Sequence, residues 1–326
     1  MKDAYNWGIL GPGKIAHKFV EGLQSVPRAR LQAVASRDQQ RAKEFADQYQ
    51  AAQAYGTYEE LANDPDINII YVATPHAFHM DQTVMCLERG KAVLCEKPLA
   101  INSQQVKRMI DGAKQHQCFL MEALWSRFLP HIIKAKELAE SGSIGNVLGV
   151  EADFGFQGAY NPQSRLFNPE LGGGALLDIG IYPLFFARFL FGPPQEVQAE
   201  VISAPTGVDL ESTVKLKFSH GTFANLHFTF ARTTPIVAEI IGDEGSIRFN
   251  SRWYQPGDLV LETKAGTQNI KIPQEGNGYN YQAVEVMNCL DQNLIQSPLW
   301  SHNDSWELMQ LMDEIRRQGA IVYPMD

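Results

Sequence analysis

The strongest constraint on this chain is Gly11-Pro12-Gly13-Lys14-Ile15-Ala16, a G-x-G-x-x-A run directly after the apolar stretch 7–10. Ile15, Phe19 and Leu23 then recur every four residues, one face of a helix. A strand, a glycine turn and a helix in that order open a βαβ unit suited to a dinucleotide. Gly11 permits the tight turn, Gly13 lets the backbone approach a pyrophosphate, and Ala16 lets helix and strand pack closely. The phosphates would sit on the helix N-terminus, with Lys14 and Ile15 in its first turn. Short runs apolar on both faces recur at 31–35, 69–73, 92–95 and 118–121, as buried parallel strands require. Helical spacing fills the gaps. Ala42, Phe45, Ala46 and Tyr49 mark one helix, and Thr57 with Glu60 forms a capping box for a short one. Two more cover 77–89, stopped by Gly90, and 103–115, capped by Ser103. This alternation predicts a doubly wound parallel α/β sheet over residues 1–122, the dinucleotide-binding domain.

The pattern changes after about residue 123. A helix over 130–140 precedes period-2 runs at 147–156, 197–203, 213–218, 223–230, 237–241, 246–249 and 259–263. His220-Gly221 and Glu244-Gly245 stand where hairpin turns belong. The tail returns to helix at 281–292 and 305–317. Residues 123–326 therefore read as an α+β domain for substrate binding. Its open, mostly antiparallel sheet carries helices on one face, and the C-terminal helix is free to pack back on the first domain.

Charge narrows the partners. Lys+Arg is 28 against 37 Asp+Glu, a formal net charge of -9. That argues against nucleic acid or an anionic membrane as the main partner and leaves a small-molecule ligand. The most apolar stretch, 175–191, contains Asp178, Pro183 and Arg188 and does not suit a membrane span. The first six residues hold no signal-peptide core. Cys86, Cys95, Cys118 and Cys289 form no CxxC pair, so reduced thiols in a cytoplasmic protein are expected.

Four clusters carry chemistry. The second strand ends at Ser36-Arg37, where an NAD-selective site places an acid for the ribose 2′-hydroxyl. Arg41 lies one helical turn on. Two guanidiniums suit a 2′-phosphate, so NADP is expected over NAD; a solvated basic helix start is the plain alternative. The third strand runs into Thr74-Pro75-His76, with His79 three residues on, at the strand end where ligands meet an α/β sheet. Two histidines without a Cys or carboxylate at ligand spacing read as cofactor-loop residues, and no metal is expected. The fourth strand ends in Glu96-Lys97-Pro98, also assigned to the cofactor loops. A lysine there needs a partner or a task, and an ion pair with Glu96 fits poorly because strand neighbours point apart. The fourth cluster is Gly172-Gly173-Gly174 followed by Asp178, Tyr182 and Pro183. Asp178 and Tyr182 fall on one helical face, for chemistry or for a buried structural hydrogen bond. Pro183 removes a donor and invites a bend. Trp125, Phe154, Phe156, Tyr160, Tyr254 and Tyr279 are candidate substrate walls or ordinary sheet core. Arg127 is a substrate or cofactor contact, or a capping ion pair.

The glycine loop, the Glu96-Lys97-Pro98 turn and the segment through Asp178 and Tyr182 together resemble the glucose-fructose oxidoreductase / inositol dehydrogenase (Gfo/Idh/MocA) family over most of the chain. Met121-Glu122-Ala123-Leu124-Trp125-Ser126-Arg127-Phe128-Leu129-Pro130 and Leu311-Met312-Asp313-Glu314-Ile315-Arg316-Arg317-Gln318 are similar to its dimeric dihydrodiol dehydrogenase and NADP-dependent D-xylose dehydrogenase branch. The resemblance implies a Rossmann domain, an open antiparallel sheet domain and pyridine-nucleotide redox chemistry without metal. With one sheet face uncovered, a homodimer or larger homo-oligomer is expected. Much of the wider family has His where Tyr182 stands; Tyr fits the dihydrodiol branch. The expected reaction moves hydride between NADP and a secondary alcohol or hemiacetal carbon, foremost C1 of an aldose. The alternatives are a trans-dihydrodiol dehydrogenase or dicarbonyl reductase of the same fold, and a non-catalytic NADP-binding sensor. Tyr182 is the expected proton acceptor and Lys97 its activator, because a free phenol, titrating near 10, needs a nearby cation to act at neutral pH. Lys97 is the rival base, and Asp178 orients them.

Overall fold

The computed structural model describes residues 2–326. The chain forms two compact units: one runs to Trp125 and resumes over Glu275–Trp306, and the other comprises Ser126–Gln274 and Glu307–Asp326.

The first unit alternates β1 (Tyr5–Leu10), α1 (Lys14–Leu23), β2 (Ala29–Ala35), α2 (Gln39–Tyr49), β3 (Gln53–Tyr55), α3 (Tyr58–Asn63), β4 (Ile69–Val72), α4 (His79–Glu88), β5 (Ala92–Glu96), α5 (Ser103–His116) and β6 (Leu120–Ala123). All strand pairs are parallel, in the order β3-β2-β1-β4-β5-β6. The order reverses at β1, so the loops leaving β1 and β4 lie side by side at the switch point where such sheets bind ligands. Trp7, Phe19 and Tyr71 are fully buried, with Phe19 stacked on Tyr71 at 3.8 Å between ring centroids. The Thr57–Glu60 capping box is present. Asn102, not Ser103, caps α5: its backbone is extended and its side chain accepts the Gln105 N–H at 2.9 Å. The fifth apolar run becomes a strand two residues later than its sequence suggests and takes in Glu122.

The second unit contains α6 (Pro130–Glu140), β7 (Val147–Gly155), α7 (Ile181–Phe191), β8 (Glu196–Ser203), β9 (Asp209–Lys217), β10 (Phe223–Thr229), β11 (Ala238–Gly242), β12 (Gly245–Phe249), β13 (Leu259–Thr263) and β14 (Gly266–Ile270). The eight strands form one sheet, ordered β14-β13-β12-β11-β7-β10-β9-β8. Every neighbouring pair is antiparallel except β7 with β10. In β9, Ser212, Val214 and Leu216 are buried while Thr213, Lys215 and Lys217 are exposed, so one face meets the core. That core includes α7, whose residues from Ile181 to Arg188 are all buried. The segment Pro169–Phe191 is long and apolar enough to cross a membrane by composition alone, yet it is mostly buried inside the fold. Within it a π-helix, Leu176–Gly180, runs directly into α7, and Pro183 is the third residue of α7.

The chain closes with α8 (Tyr279–Asp291), which packs on α1, and α9 (His302–Gln318), which begins in the first unit and ends in the second.

Candidate active site

Gly11 turns the chain out of β1 with φ +94°, and a Cβ there would lie 2.8 Å from Thr74 Cγ2. Only glycine takes both demands. Gly13 is the N-cap of α1, with no side chain capping the helix and no acid in its first turn. A Cβ on Gly13 would meet nothing nearer than the Ala73 carbonyl at 3.8 Å. A bare helix N-terminus beside open space is a cradle for a pyrophosphate, and these residues fit a pyridine dinucleotide. Lys14 and Ile15 open the helix, and Ala16 is fully buried beneath it.

Asp38 follows the end of β2, yet its carboxylate caps α2, accepting the Gln40 and Arg41 N–H groups at 3.0 and 3.3 Å. Ser36 is buried and its Oγ accepts the Asp38 N–H. Arg37 and Arg41 are exposed. The Arg37 guanidinium lies 5.9 Å from the Phe78 ring centroid. Burial raises the Tyr58 pKa, while Arg37 and Arg41 oppose that rise. The sequence reading passed over Tyr58, whose only signal is its place opening α3.

Beyond β4, Thr74 Oγ1 donates to Gln82 Oε1 at 2.5 Å. Pro75 leads into the short 3₁₀ turn His76–Phe78. His79 is fully buried, its Nδ1 2.9 Å from the Pro98 carbonyl and its Nε2 2.8 Å from the Thr74 carbonyl. It ties the loops after β4 and β5, and burial holds its pKa below the usual histidine value. With both nitrogens facing carbonyls, neither offers a lone pair to a metal; His76 stands edge-on at 5.7 Å. Among the described residues no three His, Cys, Asp or Glu gather as metal ligands would.

Glu96 is buried, accepting the Tyr71 hydroxyl and the Lys97 N–H, the latter at 3.2 Å. Burial pushes its carboxyl up to about 7 against the opposing pull of Tyr71 and Lys97. Lys97 leads into a cis peptide with Pro98. Glu122 is a second buried acid, holding Trp300 Nε1 at 3.1 Å and Ser305 Oγ at 2.7 Å. An acid inside an apolar strand run was its signal. Trp125 stacks on Tyr279 at 4.2 Å with the rings 8° apart.

In the second unit, Tyr182 is buried with its ring centroid 5.7 Å from Phe154 and 5.1 Å from Tyr254. Phe154 and Tyr254 stack at 4.2 Å. Asp178 pairs with Arg165 Nη1 at 3.0 Å. Burial raises the Tyr254 pKa, and the Asp178 charge adds to the rise. The structure thus brings Phe154, Tyr182, Tyr254 and Asp178 together. The α-helical spacing argument does not apply to the last, because Asp178 lies in the π-turn, where five-residue bonding replaces four. Phe156 and Tyr160 join a different cluster. Phe156 meets Phe230 at 5.0 Å, and Tyr160, 53% exposed, meets Phe167 edge-on. Arg127 lies 4.4 Å over the Phe189 ring, a cation–π contact on the core. No residue pattern announced Arg165.

Residues 5–124 match the family described as "Oxidoreductase family, NAD-binding Rossmann fold", and residues 132–248 match the "GFO/IDH/MocA C-terminal domain". The trans-1,2-dihydrobenzene-1,2-diol dehydrogenase of Danio rerio is 40% identical, over 99% of each chain. The Homo sapiens enzyme of that name is 34% identical, again over 99% of each chain. Among solved structures, aldose-aldose oxidoreductase from Caulobacter crescentus superposes with a TM-score of 0.89 at 26% identity, covering 97% of this chain and 98% of that one. Levoglucosan dehydrogenase in complex with NADH and levoglucosan shares the fold, with a TM-score of 0.87 at 24% identity and 97% coverage of both chains. A chain matched along its whole length in this way, with a dinucleotide cradle at the switch point of its parallel sheet, belongs to the Gfo/Idh/MocA family and is an NAD(P)-dependent oxidoreductase acting on CH–OH groups.

Proposed function

We propose that this enzyme is an NADP-preferring dehydrogenase of ring-borne secondary alcohols, acting foremost at C1 of an aldose. The observation that carries the substrate reading is the wall of Phe154, Tyr254 and Tyr182 beside the Asp178–Arg165 pair. Aromatic faces suit the C–H surface of a hydroxylated ring, and a charged pair suits its hydroxyls. A trans-dihydrodiol is the second reading, favoured by what the curated relatives are named for. NADP preference is supported by Arg37 just past β2, by Arg41 in the first turn of α2 and by Asp38 being turned into α2.

Gly11, Gly13 and the first turn of α1 would hold the pyrophosphate, and Arg37 and Arg41 would take the 2′-phosphate. A bound dinucleotide would supply a hydride acceptor. Tyr182 receives the substrate hydroxyl proton at its Oη, and the Lys97 ammonium favours the phenolate. Asp178, ion-paired with Arg165, orients the hydroxyls. Lys97 as base is the rival within the same chemistry.

The test is initial-rate turnover, followed by reduced-nicotinamide absorbance, on an aldose panel and a trans-dihydrodiol, each with NADP and with NAD. Highest kcat/KM on an aldose with NADP supports the reading. Highest kcat/KM on the dihydrodiol replaces the substrate, and preference for NAD overturns the cofactor.

A further inference from the structure

We propose that Asp209, with Tyr323, is a positioning residue that fixes where the segment bearing Asp178 and Tyr182 begins. This rests on the reading of Tyr182 as the proton acceptor. Asp209 opens β9 and is fully buried. Its Oδ2 accepts the Leu176 N–H at 2.6 Å, the first residue of the π-turn. Its Oδ1 has no hydrogen-bond partner, and a Cβ on Gly174, at φ +117°, would lie 2.3 Å from it. Glycine at 174 is thus the condition for the carboxylate to reach the turn. Tyr323, 2% exposed, donates its hydroxyl to the Gly173 carbonyl at 2.5 Å. Side chains from β9 and the C-terminal tail therefore hold Leu176 and Gly173, on either side of Gly174.

The groups facing Asp209 are Tyr323 and, from α9, Arg316, whose guanidinium lies 4.6 Å from the Tyr323 ring centroid and pairs with Asp313 and Asp326. A buried acid with one oxygen unsatisfied costs stability. A π-turn persists only where its surroundings over-determine it, and such turns gather at functional sites. Both costs fall at the start of the helix that presents Tyr182.

The experiment compares Asp209→Ala, Asp209→Asn and Tyr323→Phe in the full-length enzyme. It reads kcat per folded molecule, KM for the alcohol, Kd for NADP and the urea midpoint. Asp209→Ala should lower kcat about 10- to 100-fold, the scale of a misplaced reacting group, with NADP Kd within about twofold of wild type. Asp209→Asn keeps an oxygen for the Leu176 N–H and should recover most of that loss. In a Tyr182→Phe background, Asp209→Ala should cost little more. If Asp209→Ala does not fold, Tyr323→Phe decides: it should lower kcat with NADP Kd unchanged, and wild-type kcat in it overturns the proposal, as does any Asp209→Ala that loses only stability. A Tyr182→Phe enzyme with undiminished turnover would instead remove the Tyr182 reading, leaving Asp209 to be judged on its own kcat.

Discussion

Glu122 accepts the Leu99 backbone N–H at 2.9 Å, two residues beyond Lys97. The same carboxylate holds Trp300 and Ser305, so one buried acid ties the turn after β5 to the chain entering α9.

Removing that acid leaves three buried donors without an acceptor. Each costs about 1–3 kcal/mol when left buried without a partner. Glu122→Ala should therefore lower the unfolding free energy by about 3–5 kcal/mol, and Glu122→Gln, which keeps one acceptor oxygen, by less. Urea denaturation reads this; a loss under about 1 kcal/mol for the alanine variant contradicts the network.

Glu96 gives a pH dependence of defined sign. Its folded pKa is about 7 against 4.5 for the free carboxyl. Between those values the native state keeps a proton that the unfolded state releases, so this group's contribution to stability is present at low pH and is lost as pH rises through the window. A shift of this size is worth about 3 kcal/mol. The stability of wild type minus that of Glu96→Gln should fall by about that amount from pH 4 to pH 8. A pH-independent difference between the two proteins would show that folding leaves the Glu96 pKa unshifted.

Arg37→Ala should weaken NADP far more than NAD. Loss of one charge-assisted hydrogen bond is worth roughly 1.5–3 kcal/mol, about 10- to 150-fold in Kd. Fluorescence titration with both nucleotides measures it, and equal loss of both would sink the 2′-phosphate assignment.

Tyr182→Phe removes only a hydroxyl, so NADP affinity should hold while kcat drops by about 10²–10⁴. Lys97→Met should cost at least as much, and the double variant little more than the worse single one. Near-wild-type turnover in Tyr182→Phe assigns the proton to Lys97 or to a water it holds.

The parallel sheet was legible because strands covered on both faces are written as short, wholly apolar runs. β3 and β14 were not: three residues of β3, and the polar, exposed edge Gly266–Ile270, leave no such run. The glycine cradle and the acids and lysine near strand ends stood out as polar residues in apolar company. Their partners did not. Arg165 reaches Asp178 across 13 residues, and Asp209 reaches Leu176 across 33. Helical spacing also assumes 3.6 residues per turn, so the π-turn is invisible to it. That assumption, not residue type, separated Asp178 from its expected geometry. Phe154 and Phe156 are two apart and share a face by counting, yet they enter different aromatic clusters because β7 ends at Gly155, between them.

The turn Leu176–Gly180 makes chain length itself a determinant of where Tyr182 sits. A wider ring holds what amounts to one additional residue relative to an α-helix, and one residue is about 100° of rotation. A chain one residue shorter here would turn α7 by about 100° about its axis, moving the phenol of Tyr182 relative to Phe154 and Tyr254 and repacking the buried faces of the helix. Single-residue insertions or deletions between Gly174 and Tyr182 thus act on the placement of that phenol through the whole helix. When related chains are aligned, the count of residues across this stretch carries as much information as the tyrosine.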